Sequence, residues 1–129
     1  MMNNKGQTLV LFVVILPILL LLLVLVIDVG KVITLKLELN NISDIVLEYG
    51  MDNLDNENLK EEIIRLVNLN KKDIDKVDIT VTGDKIYVYF KENCEGLFAS
   101  VINMNLFTVE TNYVGYIEND KKRIERIGD

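Results

Sequence analysis

Few residues in this 129-residue chain could do covalent or metal chemistry. Cys94 is the single cysteine and histidine is absent, which excludes an internal disulfide, a zinc-type ligand set and any histidine-based triad. Carboxylates are the remaining candidates. Asp52, Asp55, Glu57, Glu61 and Glu62 form one acidic cluster, and Asp73, Asp75 and Asp78 form another. Paired carboxylates can act as general acid and base or bind calcium, but neither cluster carries the twelve-residue EF-hand pattern. Solvated faces of helices and loops account for both, and a half-buried loop thiol accounts for Cys94. The chain therefore reads as non-enzymatic, with no catalytic residue, cofactor or metal.

Charge and apolar residues are unevenly distributed. All 20 acids and 13 of the 14 bases lie at or after Asp28, which leaves that part of the chain at −7. No basic stripe breaks its surface, which argues against nucleic acid as a partner. From Leu9 to Ile27 run 19 uncharged residues, all plainly apolar except Pro17. At standard helical rise they cover roughly 28 Å, the thickness of a bilayer's hydrocarbon core. A cleaved secretory signal would have a shorter apolar core and a small-x-small site, whereas this run ends in Val-Ile-Asp-Val-Gly-Lys. A domain of about one hundred residues could hardly wrap such a helix on every side. Membrane lipid is thus the expected solvent of residues 7–27, with residues 28–129 forming one domain outside the bilayer. Lys5 before the span and Lys31 and Lys36 after it leave the positive-inside balance nearly even, the short tail favouring N-inside.

The helix has no stop signal at the membrane edge. Val32, Leu35, Leu39, Ile42, Val46 and Tyr49 recur at steps of three and four, one apolar stripe of an amphipathic helix. A single helix from about Thr8 to Tyr49 is predicted, kinked at Pro17 and closed by Gly50 as a C-cap. The stripe should pack on the domain itself, or in part on a partner helix. Asn58 and Glu61 have the spacing of a capping box for a short helix through about Val67, with Leu59, Ile63, Leu66 and Val67 inward. The period then drops to two. Val77, Ile79 and Val81 face Ile86, Val88 and Phe90 across Gly83-Asp84, a β-hairpin with one buried face. Residues 97–102 suggest a short helix, Phe107 to Ile117 a long strand, and residues 118–129 a frayed polar tail. The expected fold class is α+β: a long helix on a small antiparallel sheet of about three strands, with one short extra helix.

Three groups of residues at the ends and middle of the span go beyond generic apolarity. Lys5-Gly6-Gln7-Thr8-Leu9-Val10-Leu11-Phe12 opens it, Leu16-Pro17 lies in mid-span, and Asp28-Val29-Gly30-Lys31 closes it. This pattern resembles the start of the TadE-like pilin family, pseudopilins of the tight-adherence (Flp-type) pilus system, whose members read Gly-Gln-x-Leu-Val-Glu-Phe, then Leu-Pro, then Asp-x-Gly-basic. Gly6, Gln7, Leu9, Val10, Phe12, Leu16, Pro17, Asp28, Gly30 and Lys31 fit it.

The resemblance implies a pilin-like fold and a processing step. A membrane prepilin peptidase would cut after Gly6, removing residues 1–6 as a short basic leader and making Gln7 the new N-terminus. It also implies a single-pass protein of the bacterial cytoplasmic membrane, N-terminus cytoplasmic and domain extracytoplasmic. Implied partners are other pilin or pseudopilin subunits and pilus assembly membrane proteins, packed through residues such as Leu11, Phe12, Pro17 and Asp28. One position departs from the family. Leu11 stands where pilins carry a glutamate that neutralises a neighbour's terminal amine, and an unpaired charge in an apolar filament core is costly. Leu11 and the sizeable outer domain together imply a minor subunit acting in assembly or capping, not the main filament building block. The alternative from the residues alone is a single-span accessory or binding domain outside any filament.

Overall fold

The computed structural model describes residues 4–97 and 107–128. Helix α1 runs unbroken from Asn4 to Asp52, 49 residues with Pro17 inside it, or about 73 Å at standard rise. It is one helix because nothing after Asp28 competes with it: the apolar stripe resumes within a turn on the side where the domain packs. From Leu9 to Ile27 its side chains are exposed, Val24 alone being half-buried. It is long and apolar enough to cross a membrane, and fits a single-pass anchor. Helix α2 (Leu59–Asn70) follows, then strands β1 (Lys76–Thr82), β2 (Lys85–Cys94), β3 (Phe107–Glu118) and β4 (Lys121–Arg126). The strands form one antiparallel meander in the order β1-β2-β3-β4.

The core lies between the outer half of α1 and one face of this sheet, closed at one side by α2. Leu39, Ile42, Val46 and Leu47 of α1 meet Leu59, Ile63 and Val67 of α2 and Ile79, Ile86, Val88, Phe90 and Val109 of the sheet, all buried. The predicted stripe and hairpin are therefore the core. Val77 and Val81 stay half-buried because β1 is the sheet's edge. Gly83 takes a φ of 58° while Asp84 does not go positive, the glycine-first pattern of a type II′ hairpin turn.

Four expectations change. The sheet has four strands, because residues 118–126, read as frayed tail, turn back at Asn119-Asp120 and pair along β3. Both turn residues have positive φ, 52° and 61°, as a type I′ turn requires. Gly50 is not a C-cap: α1 continues to Asp52, and Asn53 Nδ2 donates to the Tyr49 carbonyl at 2.8 Å beyond it. A Cβ at Gly50 would collide with Ile86 Cδ1 and lie 3.2 Å from Ile63 Cδ1; the glycine is there for close approach. The capping box does not form either. Asn58 has φ −101° and ψ 25° and its side chain makes no cap bond, because its backbone is not in the extended conformation that would aim it at the first turn. The helix also runs on to Asn70 rather than ending near Val67. The predicted helix at 97–102 lies outside the described residues except for Leu97.

Candidate functional site: the span and its exit

The residues singled out from the sequence fall into two settings on α1. Gly6 and Gln7 lie exposed in its first turn, and a Cβ on Gly6 would meet nothing within 4 Å. Leu11 and Phe12 follow at 58% and 59% exposure, and Pro17 is exposed in mid-span. None of these five is drawn into the domain. Leu11, Phe12 and Pro17 are part of a continuous exposed apolar surface along α1.

Asp28 is in the opposite situation. It is fully buried at the point where α1 leaves the apolar run. Its Oδ1 accepts the Leu97 backbone N–H at 2.6 Å, across 69 residues of chain. The end of β2 reaches it because Gly96 has no side chain: a Cβ there would sit 2.6 Å from Asp28 Oδ2 and 3.0 Å from Phe107 Cε2. A carboxylate taken out of water needs such donors to offset its desolvation. Asp28 thus staples the chain just past β2 to α1 at the end of the apolar run. Sequence reasoning singled out Asp28 but missed Gly96 and Leu97. A glycine after Cys94-Glu95 looks like any turn residue, and nothing local points to a partner so far away.

Further out, polar side chains hold the sheet to the same helix. Lys36 Nζ donates to the Glu110 carbonyl at 3.1 Å and the Tyr113 hydroxyl to Asn40 Oδ1 at 3.0 Å. Lys71 sits between Glu38 Oε2 at 3.5 Å and Glu92 Oε1 at 3.6 Å. Burial holds the Glu92 carboxyl above the usual carboxylate range, against the opposing pull of Lys71, and Glu92 Oε2 is buried with no hydrogen-bond partner among the described residues. Beside this cluster an open groove of about 610 Å³, lined in part by Ile27, Lys31, Leu35, Glu38 and Cys94, runs along α1 where the apolar run ends.

Some members of the acidic clusters make structural contacts. Glu62 accepts the Tyr49 hydroxyl, and that bond lowers the Glu62 carboxyl and raises the Tyr49 phenol. Asp52 pairs with Lys122 at 2.6 Å, Asp75 Oδ2 accepts the Asn93 N–H at 2.7 Å, and Asp78 faces Lys76 at 3.7 Å. Among the described residues no group of three or more Cys, Asp or Glu is placed to hold a metal ion.

Comparison with known proteins adds one finding. The family described as TadE-like protein matches residues 6–44, from the glycine before the span to about four helical turns past Asp28, and so covers the helix and not the sheet. No curated protein and no solved structure matches the chain.

Proposed function

We propose, from the TadE-like match over residues 6–44, that this chain is a membrane-anchored minor pilin or pseudopilin of a tight-adherence (Flp-type) pilus or secretion system. The match to Gly6, Gln7 and the span that follows carries this reading. In it, prepilin peptidase cuts between Gly6 and Gln7 on the cytoplasmic side. Residues 7–27 then hold the subunit in the cytoplasmic membrane, with residues 28–129 outside. Both residues at the cut are exposed, so the described part of the fold does not shield them. Leu11 removes the carboxylate that would pair with another subunit's terminal amine, which favours a role in assembly or capping over bulk filament. Exposed Leu11, Phe12 and neighbouring apolar residues are the surface offered to other single-span subunits and to assembly proteins in the membrane. No catalytic role is assigned to the outer domain.

The test is the N-terminus of the protein recovered from a host that expresses a prepilin peptidase. Intact mass should show loss of residues 1–6 and a chain beginning at Gln7, and Gly6→Ala should block the cut. An uncut chain in that host, with Gly6→Ala indistinguishable from wild type in pilus assembly, refutes the pilin reading and leaves a simple tethered domain.

A further inference from the structure

The lower rim of the outer domain carries apolar side chains at the height of the bilayer surface. Leu97 is 49% exposed and Phe107 38% exposed. Their height is set by covalent and hydrogen-bond geometry. The Leu97 N–H is bonded to Asp28, the first residue after the apolar run, and the Phe107 ring lies against Gly96 next door. Val29, one residue above Asp28 on α1, is 49% exposed. Lys31 lies four residues past Ile27, about 6 Å along the helix axis, and the polar interface on each side of a bilayer is about 5–7 Å deep. Lys31 is exposed and has no hydrogen bond or ion pair among the described residues. A span that ends at Ile27 therefore puts Leu97, Phe107 and Val29 at the acyl–headgroup boundary and the Lys31 ammonium at the level of lipid phosphates.

We infer that this rim, Leu97 and Phe107 with Val29 and Lys31, is a lipid-contact surface that rests the outer domain on the membrane. The occupant is the bilayer itself. An exposed side chain bonded by its backbone to the end of a membrane span already borders lipid, whereas a protein partner would first have to displace that lipid. The other polar pins along α1, from Lys36–Glu110 to Tyr49–Glu62, lie progressively higher on the helix, away from the rim. Two attachments, the span and the rim, stop the domain from swinging about the membrane exit. Asp28 is the joint between them. This inference rests on the membrane-span part of the proposed function and not on peptidase processing.

The chain has no tryptophan, so single tryptophans report cleanly. Leu97→Trp and Phe107→Trp are reconstituted separately, as full chains, in phosphatidylcholine vesicles with brominated acyl chains. Leu20→Trp marks the span. Ile64→Trp on α2, beside the Tyr49–Glu62 contact and about 30 Å above Asp28, marks the far end. Tryptophans at 97 and 107 should show blue-shifted emission and at least about two-fold quenching, as expected for side chains 5–10 Å into the interface, while the Ile64→Trp signal is unaffected. Unquenched emission at both 97 and 107, with the Leu20→Trp signal quenched, overturns the rim and leaves the span standing. If the Leu20→Trp signal is also unquenched, the span reading fails along with it. A photoactivatable acyl-chain probe on the wild-type protein removes any question of misfolded variants. Adducts at Leu97 or Phe107 support the rim, and labelling confined to residues 9–27 refutes it.

Discussion

Asp28→Ala should loosen the outer domain, and the effect should be coupled to Gly96. The substitution leaves the Leu97 N–H without its acceptor. A hydrogen bond to a charged group contributes about 1.5–3 kcal/mol. For a domain of this size each kcal/mol shifts the melting temperature by about 4–8 °C, so a fall of roughly 6–24 °C is expected. Asp28→Asn keeps an oxygen acceptor and should lose about half as much. Gly96→Ala attacks the same bond from the other side. Its Cβ would lie 2.6 Å from Asp28 Oδ2, too close for the carboxylate to stay, so the Leu97 bond is strained or lost in the single variant. With Asp28 already alanine that obstacle is absent, and Gly96→Ala should cost little beyond a slight adjustment of Phe107. The double-mutant cycle should therefore show a coupling of about 1–3 kcal/mol.

The assay is thermal unfolding of the full chain in detergent micelles, followed by near-ultraviolet circular dichroism. All five tyrosines lie beyond the span, so the tyrosine signal reports the outer domain. Hydrogen exchange at the Leu97 amide gives a local check and should accelerate in Asp28→Ala and Gly96→Ala alike. Additive effects, within about 0.5 kcal/mol, would refute the staple. So would a Leu97 amide whose exchange ignores Asp28.

Glu92→Gln should stabilise the domain at neutral pH and flatten its acid-side response. Burial raises the Glu92 carboxyl, so the folded state takes up a proton more readily than the unfolded chain. That contribution is fully present below the ordinary carboxylate range and is lost as pH rises through the raised value. Urea midpoints for the two proteins should converge on acidification, and a variant less stable than wild type at pH 7 would mean that Lys71 outweighs burial. Asp120→Gly should raise stability by about 0.5–1 kcal/mol, because Asp120 holds a φ of 61° in a turn that favours Asn-Gly; a lower melting temperature would show that the β3–β4 turn is wrong.

How much was legible in the sequence depends on how far each cause reaches along the chain. The span, the amphipathic stripe and the β1–β2 hairpin are written in periodicity and in one glycine turn, causes that act within a few residues. Strand β4 was missed because Lys-Lys-Arg-Ile-Glu-Arg carries a single apolar residue, Ile124, and exposes nearly all the rest. Its pattern states no buried face, and its conformation is supplied by β3's free edge and by Lys122 reaching Asp52. Gly50 was misread for a related reason. A glycine at a predicted helix end signals a cap locally, but the demand on it comes from Ile86, thirty-six residues away. Asp28 shows the same limit at the site. Its residue type and place at the exit stand out in the sequence, whereas its role depends on Gly96 and Leu97 arriving from the far end of β2. The resemblance treats Asp28 as part of a membrane-exit motif, and the structure supplies a physical reason for a carboxylate there. It ends the apolar run and accepts the backbone N–H arriving from beyond β2 in the same side chain. An asparagine could do the second task in part, and any charged residue could do the first. The two demands together select an acid short enough to stay buried at the helix surface, and a glutamate, one methylene longer, would push Gly96 and Phe107 outward.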